Sequence, residues 1–184
     1  MKDIDPKKLN GCMTTVSGIS FNLLEPTVEM VHVHDIITGL ANNPHFNGHS
    51  PRFFSVAQHS ILVYHRVKNQ FDRPDLSLAA LLHDAAEAYT GDIIAPIKVL
   101  WPEFKKIEKK IEQVIFLKFG LDPDLVPQIK PFDLQIQQME YDQFYKGANL
   151  FSYLNPEGAY ASFHINLNVA LEKYNKMLGI NASN

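Results

Sequence analysis

"LLHDAAEAYTGDI", residues 81–93, decides how this chain is read. Its leucines and alanines, with Gly91 behind them, predict a buried helix from Asp75 to Thr90 that stops at the glycine. Into that apolar stretch are set His83 and Asp84 side by side, Glu87 one turn on, and Asp92 just past the end. On a helix, residues three and four apart share an edge, so His83, Asp84 and Glu87 crowd together. That edge adjoins Leu76, Ala79 and Ala80, which must face the core. An unpaired carboxylate there costs several kcal/mol. A divalent cation shared by histidine and aspartate offsets that cost, and such ligands suit Zn, Mn, Co, Fe or Ni.

Working outward, the hydrophobic period stays helical. Ser55 to about Gln70 carries Val56, Ser60, Val63 and Val67 on one face, with His59 beside them. Pro102 opens an amphipathic helix striped by Phe104, Ile107, Ile111, Val114, Ile115 and Phe119, ended by Gly120. "LDPDLVPQIKP" (121–131) reads as a loop, followed by a helix from about Pro131 to Lys146 that stops at Gly147. A last helix runs from about Ala159 to Met177. Towards the front, Ile36 to Asn42 reads as a short helix with Asp35 as its N-cap, and "ANNPHFNGHSPR" (41–52) as a loop. "CMTTV" and "ISFNL" flank Ser17-Gly18 as the arms of a hairpin over about 12–23. The fold class is mainly α: one helical bundle with a small N-terminal β-hairpin, a core over about 36–146 and a C-terminal helix over about 159–177.

Composition agrees and narrows the function classes. The 184 residues suit one domain with a substantial core, at 46% hydrophobic and 20% charged. A net charge of −3 gives no reason to expect non-specific binding of a nucleic-acid polymer, and no basic cluster is visible in the sequence. Cys12 is the only cysteine, so a disulfide framework, a Cys-rich zinc site and a zinc deaminase are all excluded. "MKDIDPKKLN" lacks the apolar core of a signal peptide, and no run approaches the length of a membrane span. The expected compartment is a cytoplasm.

A metal needs more ligands than His83 and Asp84. His59, on the preceding helix, is a third candidate. Asp133, near the start of a later helix and on the side of Ile136 and Glu140, is a fourth. Inward groups from three helices are how bundles build metal sites. Plainer readings stand beside these: His59 as a hydrogen-bonded core histidine, Asp133 as a carboxylate favoured by a helix N-terminus, Glu87 as a surface residue. His32, His34, His49, His65 and His164 read as structural or surface.

The ordered set now resembles a known family. "SVAQHS" with His59, "LLHDAAE" with His83 and Asp84, and "IKPFDLQIQQME" with Asp133 resemble the H…HD…D signature of the HD-domain phosphohydrolases over roughly residues 36–145. "FNGH" before "RFFSVAQHS", and "GDIIAPIK" after the HD pair, look like the 5′-deoxynucleotidase branch, and most like the phage dATP triphosphohydrolases. The resemblance implies one divalent metal (Co, Mn, Zn or Mg) held by His59, His83, Asp84 and Asp133. It implies Glu87 and Asp92 as handlers of water and protons, Lys98 on phosphate, Phe46 against the deoxyribose, and Pro96 and Ile97 beside the base. His45 stands where the family carries an arginine, and Arg52 is the nearby substitute. No histidine lies between Asp84 and Asp133, so the two-metal members are a poorer match.

The implied reaction takes dATP, and also dADP or dAMP, to deoxyadenosine, in a homo-oligomer (dimer or hexamer), in a host cytoplasm if phage-encoded. The alternatives are a general 5′-deoxynucleotidase on deoxynucleoside monophosphates, an alarmone hydrolase, and a non-catalytic nucleotide-binding module.

Overall fold

A computed structural model describes residues 11–180. The N-terminal segment read for a signal peptide falls outside them. Among the described residues no helix is long and apolar enough to cross a membrane. The elements are β1 (Cys12–Thr14), β2 (Ser20–Asn22), α1 (Val33–Asn42), α2 (Val56–Gln70), α3 (Pro74–Leu82), α4 (Glu87–Thr90), α5 (Ala95–Leu100), α6 (Pro102–Lys118), α7 (Val126–Tyr145) and α8 (Pro156–Met177). Short 3₁₀ turns cover Val28–Met30, His45–Gly48 and Pro123–Leu125. The mainly helical class with a small front hairpin is borne out.

Helix α2 is the central element, packed against α1, α3, α7 and α8. Ser55 caps it, its Oγ accepting from the Gln58 amide at 3.2 Å. Val56, Val63, Tyr64 and Val67 are buried along it. Each such apolar side chain contributes about 1.5–3 kcal/mol, which lets the same helix carry His59 through the core.

The hairpin is antiparallel with Met13 opposite Phe21. Its loop is three residues, Val16–Gly18, rather than a two-residue turn. The Gly18 amide donates to the Thr15 carbonyl, the Thr15 amide donates to the Ile19 carbonyl, and Gly18 sits at φ +78°. This is the type I turn plus bulge that a three-residue loop favours, and its last position favours glycine. The hairpin is docked: Phe21 is fully buried and stacks on Tyr89 of α4 with centroids 3.8 Å apart.

Four sequence expectations are corrected. Helix α1 starts at Val33 with His32 at its N-cap, so Asp35 lies inside it. The buried Asp35 carboxylate accepts from the Ser17 amide at 2.8 Å and ties the hairpin loop to α1. The span 75–90 is not one helix. It breaks at residues 83–86 into turns in which Ala85, Glu87, Ala88 and Tyr89 donate to the carbonyls three residues back. His83 Nδ1 bonds the Ala80 carbonyl at 2.9 Å, which competes with the next amide of a regular helix.

Helix α7 begins at Val126, so "VPQIK" is helical and Pro131 lies within the helix. Pro131 is exposed, which leaves the carbonyl it cannot serve open to water. The C-terminal helix likewise begins earlier, at Pro156, where Asn155 Oδ1 accepts from the Gly158 amide at 2.8 Å.

Gly39 of α1 allows the close approach of α4. A Cβ there would lie 2.6 Å from the Ala88 carbonyl oxygen and 2.8 Å from its Cα. Gly39→Ala gains about 1 kcal/mol of helix propensity but forces two backbones apart, a cost of about 1–3 kcal/mol. The expected result is a net loss of stability, read as a melting temperature lower by a few degrees.

Candidate metal centre and active site

The side chains expected to hold a metal converge. His59 comes from the first turn of α2, His83 and Asp84 from the break after α3, and Asp133 from the middle of α7. His59 Nε2 lies 3.2 Å from Asp133 Oδ1 and 3.6 Å from Asp84 Oδ2. His83 Nε2 lies 3.1 Å from Asp84 Oδ2. Donor atoms of His59, His83 and Asp133 all fall within 4.8 Å of one another. Because α7 starts at Val126, Asp133 is two turns inside it, and the plainer reading as a helix-terminal carboxylate loses its basis.

The hydrogen bonds decide which nitrogens face inward. His59 Nδ1 is 2.8 Å from Glu140 Oε1, and His83 Nδ1 is 2.9 Å from the Ala80 carbonyl. Both partners only accept, so both Nδ1 atoms carry the hydrogen. Both Nε2 lone pairs then point at carboxylates, and neither buried Nε2 has a hydrogen-bond partner among the described residues. Such contacts are favourable with a positive charge between them, either a bound metal ion or, at His59, a proton that, against the cost of burial, Glu140 and Asp133 favour. A histidine held at Nδ1 by a carboxylate or a carbonyl, with Nε2 free, is the arrangement of a metal ligand. The donor set fits a divalent ion. The Asp84 side chain is 26% exposed, so the cluster opens on one side.

That side is a cleft of about 130 Å³ lined by His83, Asp84, Glu87, Lys98, Lys130 and Asp133, among others. Glu87 is buried, accepts from Lys98 Nζ at 3.0 Å through Oε1, and leaves Oε2 unpartnered. Burial, and then the neighbouring Asp84 charge, push its carboxyl up to about 9. A divalent cation in the cluster would draw it down again. Lys98 also pairs with Glu108 at 2.7 Å. Desolvation opposes its charge, but Glu87 and Glu108 hold its ammonium well above the usual lysine range. Burial and Glu108 push Glu112, further along the same cleft, up to about 7.

On the other flank, His45 is buried and turned inward. Its Nδ1 lies 3.1 Å from Asp92 Oδ2 and its Nε2 3.5 Å from Glu140 Oε2. Phe46 and Asn47 follow at φ +54° and +52°, a strained pair for residues with a Cβ. The Asn47 amide also points at Asp92 Oδ2, at 3.4 Å. Phe46 meets Phe144 edge-on at 5.9 Å.

Three expected residues do not join the cluster. Arg52 lies over the Tyr153 ring at 5.5 Å and lines a separate hollow with Gln143, Phe151 and Ser152. Pro96 and Ile97 are exposed on α5 and do not line the cleft. Two residues escaped the sequence reading as members of the site. Lys130 pairs with Asp133 from the cleft side. Glu140 backs His59 and is fully buried. The signal for Glu140 was present: it is a second acid seven residues after Asp133, on the face marked by Ile136.

Inward histidines and aspartates from three segments of a helical bundle, with an acid and a lysine on the open side, define an HD-type site. The chain belongs to the 5′-deoxynucleotidase YfbR-like family, whose model matches residues 40–150. It is 40% identical over 120 residues to the uncharacterized protein YfdR of Escherichia coli (strain K12), a match covering 65% of each chain. It is 36% identical over 124 residues to an uncharacterized protein of Rhodobacter capsulatus, covering 62% of this chain and 61% of that one. The match thus spans just under two thirds of the length of these relatives. The residues that the family model matches include His59, His83, Asp84, Glu87, Asp92, Lys98, Asp133 and Glu140.

Proposed function

We propose that the chain is a metal-dependent phosphohydrolase that removes the 5′ phosphate or triphosphate from deoxynucleotides, with dATP foremost and dADP and dAMP beside it. One observation carries the reading: two buried Nε2 atoms without a hydrogen-bond partner converge with the carboxylates of Asp84 and Asp133, and Lys130 meets only the outer oxygen of Asp133. Family membership supports deoxynucleotides as the substrate class. The preference for dATP rests on the sequence resemblance carried by "FNGH" and "GDIIAPIK".

His59, His83, Asp84 and Asp133 would hold the ion. When bound, it supplies polarisation of a phosphate oxygen and acidification of a water. Glu87, which lines the cleft and leaves Oε2 unpartnered, positions the attacking water and takes its proton. Lys98 holds Glu87 in place and sets positive charge beside the phosphate. Asp92 pins the 45–48 turn through Oδ2, which fixes Phe46 for the sugar. Attack at the α-phosphorus breaks its bond to the 5′ oxygen and releases the deoxynucleoside.

A second reading is favoured by the size of the cleft. At about 130 Å³ it is smaller than the roughly 300–1,000 Å³ of a whole-ligand pocket. It suits a single phosphate, as in a 5′-deoxynucleotidase acting on monophosphates. Mass analysis of products from a mixed pool of dNTPs, dNMPs and ribonucleotides with Co, Mn, Zn or Mg separates the two. Triphosphate and deoxyadenosine from dATP are expected. Orthophosphate from monophosphates alone selects the second reading, and no product from any deoxynucleotide overturns both.

A further inference from the structure

Glu140 and His45 are bound into the site yet have no part in the reaction derived above. Glu140 is fully buried in α7, where an ionised carboxylate is costly unless its oxygens are occupied. Its Oε1 lies 2.8 Å from His59 Nδ1. Its Oε2 lies 3.5 Å from His45 Nε2, whose ring stacks at a tilt 4.5 Å from that of His59. His45 Nδ1 continues to Asp92 Oδ2 at 3.1 Å. The side chains line up as Asp92, His45, Glu140, His59, then the donor cluster, with hydrogen bonds at the two ends and an ion-pair contact of 3.5 Å, not a hydrogen bond, between His45 and Glu140.

His45, His59 and Glu140 bring donor atoms close enough to suggest a second metal site. The hydrogen bond argues against it. His59 has two ring nitrogens, with Nε2 committed to the cluster and Nδ1 already donating to Glu140. A second ion would have to displace that proton and make His59 a bridging imidazolate. The distances fit a carboxylate that orients a ligand histidine.

We infer that Glu140 is a positioning residue that orients His59 towards the donor cluster and, through His45, braces the Asp92-pinned turn carrying Phe46. This rests on the reading of the cluster as a metal site. It gives His45 a task other than meeting phosphate: its inward face is taken by Asp92 and Glu140. It also links the sugar-facing turn to the ion-facing histidine, because both lean on one carboxylate.

The experiment titrates the purified full chain with Co²⁺ alone and follows the cobalt visible spectrum in wild type, Glu140→Ala and Glu140→Gln. Glutamine can still accept from His59 Nδ1 while losing the charge; alanine cannot. Co²⁺ affinity is expected to fall about 10–100-fold in the alanine variant, with the glutamine variant between it and wild type. A folded alanine variant, checked by circular dichroism, that binds Co²⁺ like wild type overturns the role of Glu140. If the alanine variant does not fold, the His59 Nδ1–H proton resonance decides in Glu140→Gln. It is expected to move upfield as the charge-assisted bond is lost, and an unchanged resonance overturns the inference. Wild type that takes up no Co²⁺ overturns the metal reading itself, and with it this role, so the two failures are told apart.

Discussion

Asp84→Ala is expected to reduce hydrolysis to the background of the metal-free reaction at ion concentrations that saturate wild type. Asp84 Oδ2 is the oxygen within 3.6 Å of both inward Nε2 atoms, at 3.1 Å from His83 and 3.6 Å from His59. Its side chain is also the more exposed of the two carboxylates, so it stands between the donor cluster and the cleft. Losing an outer partner of a ligand typically costs 10–100-fold in metal affinity or activity, and losing a ligand is expected to cost more. The fold should survive, because Asp133 still faces His59 and the apolar packing of α2 and α3 is untouched. Metal stoichiometry by mass spectrometry, with initial rates against ion concentration, tests it. A folded Asp84→Ala protein that hydrolyses at the wild-type rate removes Asp84 from the site.

Glu87→Gln should act on a different quantity. The amide keeps the shape of the side chain and can still accept from Lys98, but it cannot take a proton from water. A general base contributes about 10²–10⁴-fold, and kcat is expected to drop by that amount while metal binding stays near wild type. Glu87 is buried and its carboxyl is pushed up to about 9, so near neutral pH the amide replaces a group that is already uncharged. The melting temperature of the metal-free protein should therefore hold. Slower turnover with intact metal uptake and undiminished stability is a pattern that general damage to the fold does not produce. An unchanged kcat would leave Asp92, or a water held by neither acid, as the base.

The elements that carry the site were legible to different degrees. Helix α2 and the C-terminal stop at Gly91 could be read because hydrophobic period and end signals coincide there. The break at 83–86 was not legible, since a run of leucine and alanine favours a helix and only the His83–Ala80 contact shows the competing bond. The start of α7 was misread because two prolines in five residues signal a loop, whereas Pro127 tolerates the first helical turn and Pro131 faces water. The donor set was legible because adjacent His83 and Asp84 in an apolar run have few plain explanations. Glu140 was legible only as a second acid on the face of Ile136, seven residues after Asp133; its partner His59 lies 81 residues away and carries no such mark. Whether His45 pointed out or in could not follow from its place in an Asn- and Gly-rich stretch; it depends on Asp92 and Glu140, far along the chain.

The line from Asp92 to His59 joins contacts that are remote in the sequence. His45 meets Asp92 across 47 residues, and His59 meets Glu140 across 81. Closing such separations is the slow part of folding. Glu87, on a one-turn helix too short to persist alone, depends on Gly39 and on the hairpin stacked against Tyr89 to be held where it is. A chain still part-folded, or nicked between these segments, would contain every donor and yet hold no competent centre. Under the proposed function, metal uptake and turnover would therefore be late events that follow completion of the topology.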